Sequence, residues 1–355
     1  MILAIESSMD ETGAAVVSSW GKGVKVWSNV KASSAEMHEK YGGVVPEIAA
    51  REQVKVVLPV IKEALEKVRG RDWQEELKDI EAIAVAYGPG MMGSLLVGVE
   101  TARVLASVGE KKLIKVNHMV GHIAANWIKE DESDSVPELP AIGLVVSGGH
   151  TDLVKIDKKN KWEWLGGTRD DAAGEVFDKS ARLLGLSDYL GGVVIEKASS
   201  EVSKEGKEWM KKEKIRLPRP MIGSKNLEMS FSGLKTAVLH EVEKLKKSGG
   251  WSEEKVKALA KEFNEAVVDV LIAKTEKAIR EEQPQSLLVG GGVAANKLLR
   301  ERLEKMASEF GVRLFKAEMK YCTDNAAMIG AGAVIRRENV KIKNLKAEPS
   351  LGVVE

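Results

Sequence analysis

Twice in this chain, about 140 residues apart, an apolar run is followed by a short polar turn and a second apolar run, and that repetition limits the folds open to it. In the first copy, residues 2–5 and 14–17 flank Glu6-Ser7-Ser8-Met9-Asp10-Glu11-Thr12-Gly13. In the second, 141–146 and 151–156 flank Ser147-Gly148-Gly149-His150. Each copy reads as strand, turn, strand. Two such hairpins, unlike in sequence, point to an internal duplication of fold. At 355 residues the chain is long enough for two domains with substantial cores.

Between the hairpins, 24–27 continues the first sheet and 35–47 reads as a loop. The loop leads into a helix at about 46–68 whose apolar face is marked by Ile48, Val54, Val57, Leu58, Ile61 and Leu65. A strand at 80–86 then meets Tyr87-Gly88-Pro89-Gly90-Met91-Met92-Gly93-Ser94 and a helix at 95–108. Glycines in such a turn either aim backbone N–H groups at an anion or let the helix pack closely, and both readings stand. After the second hairpin, 166–184 runs into a helix, and 196–214, 233–247 and 254–282 are helical and strongly charged. Ser286-Leu287-Leu288-Val289-Gly290-Gly291-Gly292 is a strand ending in a triple glycine, with Asn296 at the next helix start. No side chain obstructs approach to that turn. Near the end, Tyr321-Cys322-Thr323-Asp324-Asn325 precedes an Ala/Gly-rich helix over 326–335, where Asp324 is an N-cap, a ligand or both.

Chemistry gathers at Asn117-His118-Met119-Val120-Gly121-His122, which holds two of the five histidines. With Asn117 as N-cap, a helix from His118 puts both imidazoles on one face. The positive end of the helix dipole predicts a neutral His118, ready to donate a lone pair. A surface helix with two unrelated histidines has the same pattern, and the pair alone does not separate the readings. The first hairpin turn carries three carboxylates, which suit a hydrated cation or a ligand's hydroxyls, although a plain surface turn looks alike.

Composition narrows the classes. Lys+Arg 54 against Asp+Glu 53 leaves a net charge of +1, so nucleic-acid binding has to come from local patches. Basic residues gather at Lys211, Lys212, Lys214, Arg216, Arg219, Lys225 and Lys235, the pattern of a solvated face as much as of a binding surface. The single cysteine, Cys322, excludes a disulfide framework and fits a reducing compartment. Glu6 interrupts what would be the apolar core of a signal peptide, and no stretch of about 18 apolar residues is present. The expectation is a cytoplasmic protein without a membrane span.

Nine ordered blocks carry a resemblance: IESSMDET, HEKYGGVVPEIAAR, YGPGMMGSLLVGV, VNHMVGHIAA, LVVSGGHT, DDAAGEVFDKSARLLGL, MSFSGLKTAV, VGGGVAANKLLR and YCTDNAAMIG. Together they span nearly the whole chain, from Ile5 to about Ala333. The sequence resembles the tRNA N6-adenosine threonylcarbamoyltransferase family, in its bacterial (TsaD) branch. The resemblance implies an α/β fold of two ribonuclease-H-like lobes, the superfold of actin, Hsp70 and sugar kinases. The first lobe is expected over 1–116 plus 326–355. The second is expected over 117–325, with the metal site and a helical insertion at about 190–282.

By the same resemblance His118, His122 and Asp324 bind one divalent metal, iron or zinc, where the lobes meet. Substrate, including its adenylate nucleotide, lies on Val145, Val146, Ser147, Gly148, Gly149, Asp178, Gly192, Glu196 and Asn296. Asp10 and Glu11 match an acidic pair with a catalytic role. The implied reaction moves threonylcarbamoyl from threonylcarbamoyl-AMP to N6 of adenine 37 in tRNAs reading codons that begin with A. The backbone N–H groups of 147–149 would hold the leaving phosphate. Implied partners are tRNA, a degenerate paralogous subunit (TsaB type) and a small ATPase (TsaE type).

The chain departs from the family pattern at three places. Met9 stands where cysteine is usual, and Glu100 where a small residue is usual. Leu190-Gly191-Gly192-Val193 replaces Pro-Gly-Gly-Pro, which bears on Gly192 and Glu196. Three rival readings fit these residues less well. A zincin-type peptidase needs glutamate after the first histidine, and Met119 is there. A sugar kinase or ATPase of the same superfold leaves the histidine pair without a task. A non-catalytic paralogue would lack the histidines and complete glycine turns that this chain keeps.

Overall fold

Every residue of β1 (Ile2–Glu6) is buried, as expected of a strand covered on both faces. It pairs antiparallel with β2 (Glu11–Trp20), which pairs antiparallel with β3 (Gly23–Ser33), so the first predicted hairpin extends into a three-stranded meander. The computed structural model describes residues 1–34, 37–38, 41, 43–187 and 190–354, so the loop expected over 35–47 falls partly outside the described residues.

The chain divides into two compact units: Met1–Glu138, Leu288–Gly290 and Phe315–Glu355 in the first, Leu139–Leu287 and Gly291–Leu314 in the second. In the first unit, α1 (Pro46–Arg69) starts with proline in its first turn and ends on Gly70 in the left-handed region. Its buried side is Ala49, Gln53, Val57, Val60, Ile61, Ala64 and Leu65. Val54 and Leu58, expected on that side, are 65% and 60% exposed. They belong to a second apolar stripe that lines a groove with Val97, Val104 and Leu105. After α2 (Trp73–Lys78) come β4 (Ala82–Gly88), α3 (Met92–Val108), β5 (Lys112–Asn117) and α4 (His118–Ala124). Glu100 is exposed on α3 and pairs with Arg103 at 2.7 Å, so the charge sits where water solvates it.

The second unit holds β6 (Ala141–Val146), β7 (Thr151–Ile156), β8 (Trp162–Gly167), α5 (Ala173–Leu183), α6 (Gly191–Ser200), α7 (Lys204–Lys212), α8 (Ser232–Lys247) and α9 (Glu253–Glu282). The helix expected over 196–214 is two helices, because Ser203 caps a new one by accepting from Gly206 N–H at 3.2 Å. Two of the gathered basic residues are engaged internally: Arg219 with Glu262 and Asp269, and Lys235 with Asp171. Then follow β9 (Ser286–Gly290), α10 (Lys297–Phe310), β10 (Arg313–Lys316), α11 (Met319–Cys322), α12 (Ala326–Ile335) and β11 (Asn339–Val340).

The two sheets run β11-β5-β4-β1-β2-β3 and β10-β9-β6-β7-β8. Read from the hairpin outward, β3-β2-β1-β4-β5 and β8-β7-β6-β9-β10 have one order, which is the duplication that the paired hairpins announce. No helix among the described residues is long and apolar enough to cross a membrane.

The lobe boundary expected at 116/117 lies elsewhere. Residues 117–138 and 315–325 group with the first unit, since α4 packs along α12 and β11 closes the first sheet beside β5. The metal-site residues therefore belong to the first unit rather than the second.

At the altered Pro-Gly-Gly-Pro position, Leu190 has φ 56°, a left-handed conformation that a proline ring, held near −65°, cannot reach. The lost proline and the local backbone are consistent with each other. Glycine relieves the left-handed cost of about 1 kcal/mol, so Leu190→Gly should raise stability to urea by up to that amount and Leu190→Pro should lower it. Destabilisation by Leu190→Gly would refute this account.

Candidate metal centre

Asn117 caps α4 as expected: its Oδ1 accepts from the N–H groups of Met119 (2.8 Å) and Val120 (3.4 Å). The helix begins at His118, and His118 and His122 fall on one face with ring centroids 4.7 Å apart, edge to face. Met119, where a zincin would carry its base, is fully buried in the core.

Asp324 reaches this pair from the segment between α11 and α12. Its Oδ1 stands 3.3 Å from His122 Nε2 and 3.5 Å from His118 Nε2. One ligand atom from each of the three residues lies within 4.8 Å of the others. The cap of α12 is Asn325, whose Oδ1 accepts from Met328 N–H at 3.0 Å, which leaves Asp324 free of capping duty. The histidine side chains are nearly inaccessible, while that of Asp324 is 23% exposed, so the cluster opens on the aspartate side.

Among the described residues neither buried ring nitrogen of His122 has a well-aligned hydrogen-bond partner; the approach of its Nε2 to Asp324 Oδ1 is 3.3 Å. A buried imidazole left unsatisfied is costly. Two imidazoles and a carboxylate with an open side fit a divalent cation that keeps free coordination positions.

A residue that the sequence reading left in the hairpin turn completes the cluster. Glu6, the last residue of β1, is fully buried, with Oε2 2.9 Å from His118 Nδ1 and Oε1 accepting from Ser8 N–H at 2.5 Å. Ser8 Oγ lies 3.0 Å from the same Nδ1. With Nδ1–H committed to Glu6, Nε2 is the atom left to face Asp324, the carboxylate–histidine arrangement common behind metal ligands. The signal was available, since a carboxylate ends an otherwise wholly apolar strand and has to be paired.

The charges differ from expectation at His118. Burial opposes its protonation, but the Glu6 and Asp324 carboxylates outweigh burial and push it up to about 9. A seven-residue helix dipole does not compete with two carboxylates at contact distance. Burial and the neighbouring His118 hold His122 below its usual value. Burial would raise Asp324, yet the two histidines hold it well below the usual carboxylate range.

Glu11 opens β2 and Asp10 ends the turn before it, beside this cluster. Burial raises both above the usual carboxylate range, and the nearby Asp324 charge adds to the rise at Asp10. Glu11 Oε1 pairs with Lys31 Nζ at 3.2 Å. Gln53 of α1 holds the turn itself: Nε2 donates toward the carbonyls of Ser7 (3.3 Å), Met9 (2.8 Å) and Glu11 (3.0 Å). Met9 thus contributes its backbone, and no thiol is needed there. Gln53→Leu leaves buried carbonyls unpaired and should cost about 2 kcal/mol, with weaker metal binding as the turn loosens. Unchanged urea stability would refute that role.

Two glycine turns serve packing in this unit. A Cβ at Gly90 would stand 2.5 Å from Ser8 O, and one at Gly290 would stand 2.3 Å from His122 O. These glycines let backbone press against the turn and the histidine helix.

The residues assigned to substrate lie in the second unit. Val145 and Val146 are core side chains, so only their backbone can meet a ligand. Ser147 N–H donates to His150 O at 2.9 Å and is already engaged, which removes it from an anion site over 147–149. Gly148 and Gly149 face open space. Ser147 O accepts from Gly174 N–H (3.2 Å) at the start of α5. Asp178, on the same helix, accepts from Gly191 N–H at 2.7 Å. Gly192 faces open space, and Glu196 accepts from Lys297 N–H at 3.2 Å. Asn296 is buried; its Oδ1 caps α10 through Leu299 N–H (3.0 Å) and its amide donates to Asn264 (2.9 Å), so both ends are occupied. The chain of contacts links these positions around one part of the unit, and Gly148, Gly149 and Gly192 are its open members.

A protein-family model described as TsaD, tRNA N6-adenosine threonylcarbamoyltransferase, matches residues 25–331. The chain belongs to the tRNA N6-adenosine threonylcarbamoyltransferase family. Proteins of that name in Syntrophomonas wolfei and Clostridium botulinum are 42% identical over 353 residues and 47% identical over 333 residues. The alignments cover 99% and 94% of this chain and 97% and 91% of the relatives. Among solved structures, HypF of T. kodakarensis has a TM-score of 0.57 at 13% identity, over 94% of this chain and 47% of that one. That likeness shows the fold alone, on which this member of the family carries its histidine pair.

Proposed function

We propose that the protein transfers the threonylcarbamoyl group from threonylcarbamoyl-AMP to N6 of adenine 37 in tRNAs that read codons beginning with A. Membership of the family supports the activity. The convergence of His118, His122 and Asp324, with Glu6 behind His118, is the observation that carries the chemistry.

An exocyclic amine is a poor nucleophile, so the carbonyl has to be made more electrophilic and the departing proton needs an acceptor. His118, His122 and Asp324 would hold one divalent metal, which supplies Lewis-acid polarisation of the carbonyl. Ferrous iron is the metal we assign, because two histidines and one carboxylate with open positions suit it; zinc is the alternative occupant. Glu6 fixes the His118 ring and keeps its Nε2 pointed at Asp324. Asp10, whose carboxyl is raised by burial, is suited to take the proton from N6 as the N–C bond forms, and Glu11 beside it to orient the amine. As the C–O bond to phosphate breaks, AMP leaves. We assign its nucleotide to Gly148, Gly149, Gly192 and their neighbours Asp178, Glu196 and Asn296 in the second unit.

We place the protein in the cytoplasm, with a TsaB-type paralogue and a TsaE-type ATPase as helpers. The exposed apolar stripe of Val54, Leu58, Val104 and Val108 is of the character that a partner subunit covers. The test is reconstituted transfer onto unmodified tRNA, followed by nucleoside analysis and metal analysis of the enzyme. Modified adenosine should form only with the full set of components. Its absence from the complete reaction would refute the proposal.

A further inference from the structure

The far end of the β2–β3 hairpin carries a group of side chains that the chemistry above does not use. Trp20 and Trp27 stand there with Lys25 between them, its Nζ 4.1 Å from the Trp27 ring centre and 5.1 Å from that of Trp20. Lys129 Nζ lies 5.4 Å from the Trp20 ring, brought there by the Val24–Ile128 bridge and by Lys129 N–H donating to Val24 O at 2.9 Å. Trp27 is 39% exposed, and its Nε1–H donates to Ser18 Oγ at 2.9 Å, which fixes the plane of the ring. Opposite stand Lys320 and Tyr321 of α11, with Lys320 Nζ 5.0 Å from the tyrosine ring. These residues line one cavity of about 460 Å³ within the first unit.

Lysines lying on tryptophans shield indole from water, worth about 0.5–1 kcal/mol at exposed sites. Shielding alone accounts for neither the cavity nor the charge balance. Of the three lining ammonium groups, that of Lys320 pairs with Glu130 (2.6 Å) and Glu318 (3.2 Å) and that of Lys129 donates to the Glu132 carbonyl, while Glu130 also accepts from the Tyr321 hydroxyl (3.2 Å). Lys25 makes no ion pair among the described residues, so its charge faces the cavity unneutralised. A fixed aromatic plane beside an ammonium group without an ion pair matches a nucleotide: the base stacks on indole and the phosphate meets lysine.

The position fits the substrate. Tyr321 precedes Asp324 by three residues, and β2 runs from Glu11, near the metal cluster, to Trp20. From the Glu11–Ser33 pair to the Val17–Val26 pair is six residues, about 20 Å of strand at ~3.3 Å each. A stem-loop whose target base reaches the cluster extends that far.

We propose that the Trp20–Lys25–Trp27–Lys129 cavity is a second contact for the RNA substrate, holding a nucleotide away from the modified base by stacking on Trp27 and by lysine–phosphate contacts. The inference rests on tRNA being the substrate.

The test uses the full chain, metal-loaded and with its helper proteins, and measures binding of unmodified tRNA by fluorescence anisotropy across a salt series. Trp27→Ala should weaken binding about tenfold, from the range for loss of one stacked base. Trp27→Phe should stay within about threefold, because a phenyl ring still offers a stacking face. Lys25→Ala should lower the slope of log affinity against log salt by about one. Metal content should match wild type in all three, which shows that the variants fold. Trp251→Ala, whose ring also lies under a lysine (Lys246, 5.0 Å) but outside the cavity, should bind like wild type.

Unchanged affinity in both Trp27→Ala and Lys25→Ala, with wild type still making modified adenosine, overturns the cavity and leaves the function standing. An equal loss in Trp251→Ala also overturns it, since the effect would then not belong to the cavity. Trp27-dependent binding of AMP alone, without any effect on tRNA, overturns it in favour of a free-nucleotide site. Failure of wild type to modify any tRNA in the complete reaction removes the function and the cavity's role together.

Discussion

His122→Leu is expected to abolish metal binding and transfer while leaving the protein at least as stable as metal-stripped wild type. Both His122 ring nitrogens are buried and lack a well-aligned hydrogen-bond partner among the described residues. The fold therefore carries their desolvation without return until a cation arrives. Leucine is of similar size and removes those polar atoms, a replacement that is close to neutral or stabilising. Asp324 loses its neighbour at 3.3 Å but is partly exposed, so water solvates it. With one of three ligands gone, bound metal should fall below about a tenth of stoichiometric and transfer by about 10³-fold, the scale of losing a main electrostatic stabiliser. Metal analysis, nucleoside analysis and urea unfolding after chelation read the three effects. A His122→Leu protein that kept wild-type metal content, or lost several kcal/mol of stability after chelation, would show that His122 holds the fold together rather than the ion.

That opposition between stability and chemistry explains which parts of the molecule were legible in the sequence. The strands and helices followed from apolar runs and caps, since Ile2–Ile5, the Asn117 cap and the Pro46 start are local signals. The histidine pair was legible for the same reason, because four residues on one helix are near in sequence and in space. Asp324 reads locally only as an N-cap, a ligand or both: its nearness to His118 depends on α12 packing along α4, and the family resemblance alone joins it to the histidines. Glu6 was hidden because a carboxylate after four apolar residues reads as the first residue of a turn, whereas the strand continues through it. Periodicity also misled where a helix has two apolar sides, as at Val54 and Leu58, which one-dimensional counting merges with the buried face. Asn296 shows how the fold adds what a glycine turn does not announce: its Oδ1 caps α10 and its amide donates to Asn264.

Glu6→Gln should weaken metal binding about 10- to 100-fold, although the change is nearly isosteric and touches no ligand atom of the cluster. The carboxylate accepts two hydrogen bonds, from Ser8 N–H through Oε1 and from His118 Nδ1 through Oε2. Glutamine has a single oxygen. If that oxygen stays on the Ser8 N–H, its NH₂ group faces His118 Nδ1 and favours the tautomer with the lone pair on Nδ1 and the proton on Nε2. That proton then occupies the atom that faces Asp324 and would bind the cation. If the amide flips, two N–H donors confront each other at the buried Ser8 amide, at a cost of about 1–3 kcal/mol. The charge that draws His118 upward is lost in either orientation. Ser8→Ala keeps the carboxylate and removes only the hydroxyl 3.0 Å from Nδ1, so it should weaken metal binding far less. Competition against a chelator of known affinity, run on wild type and both variants, ranks them directly. Equal metal affinity in Glu6→Gln and wild type would mean that His118 presents Nε2 without help from β1, and Glu6 would then be only a buried charge paired for stability.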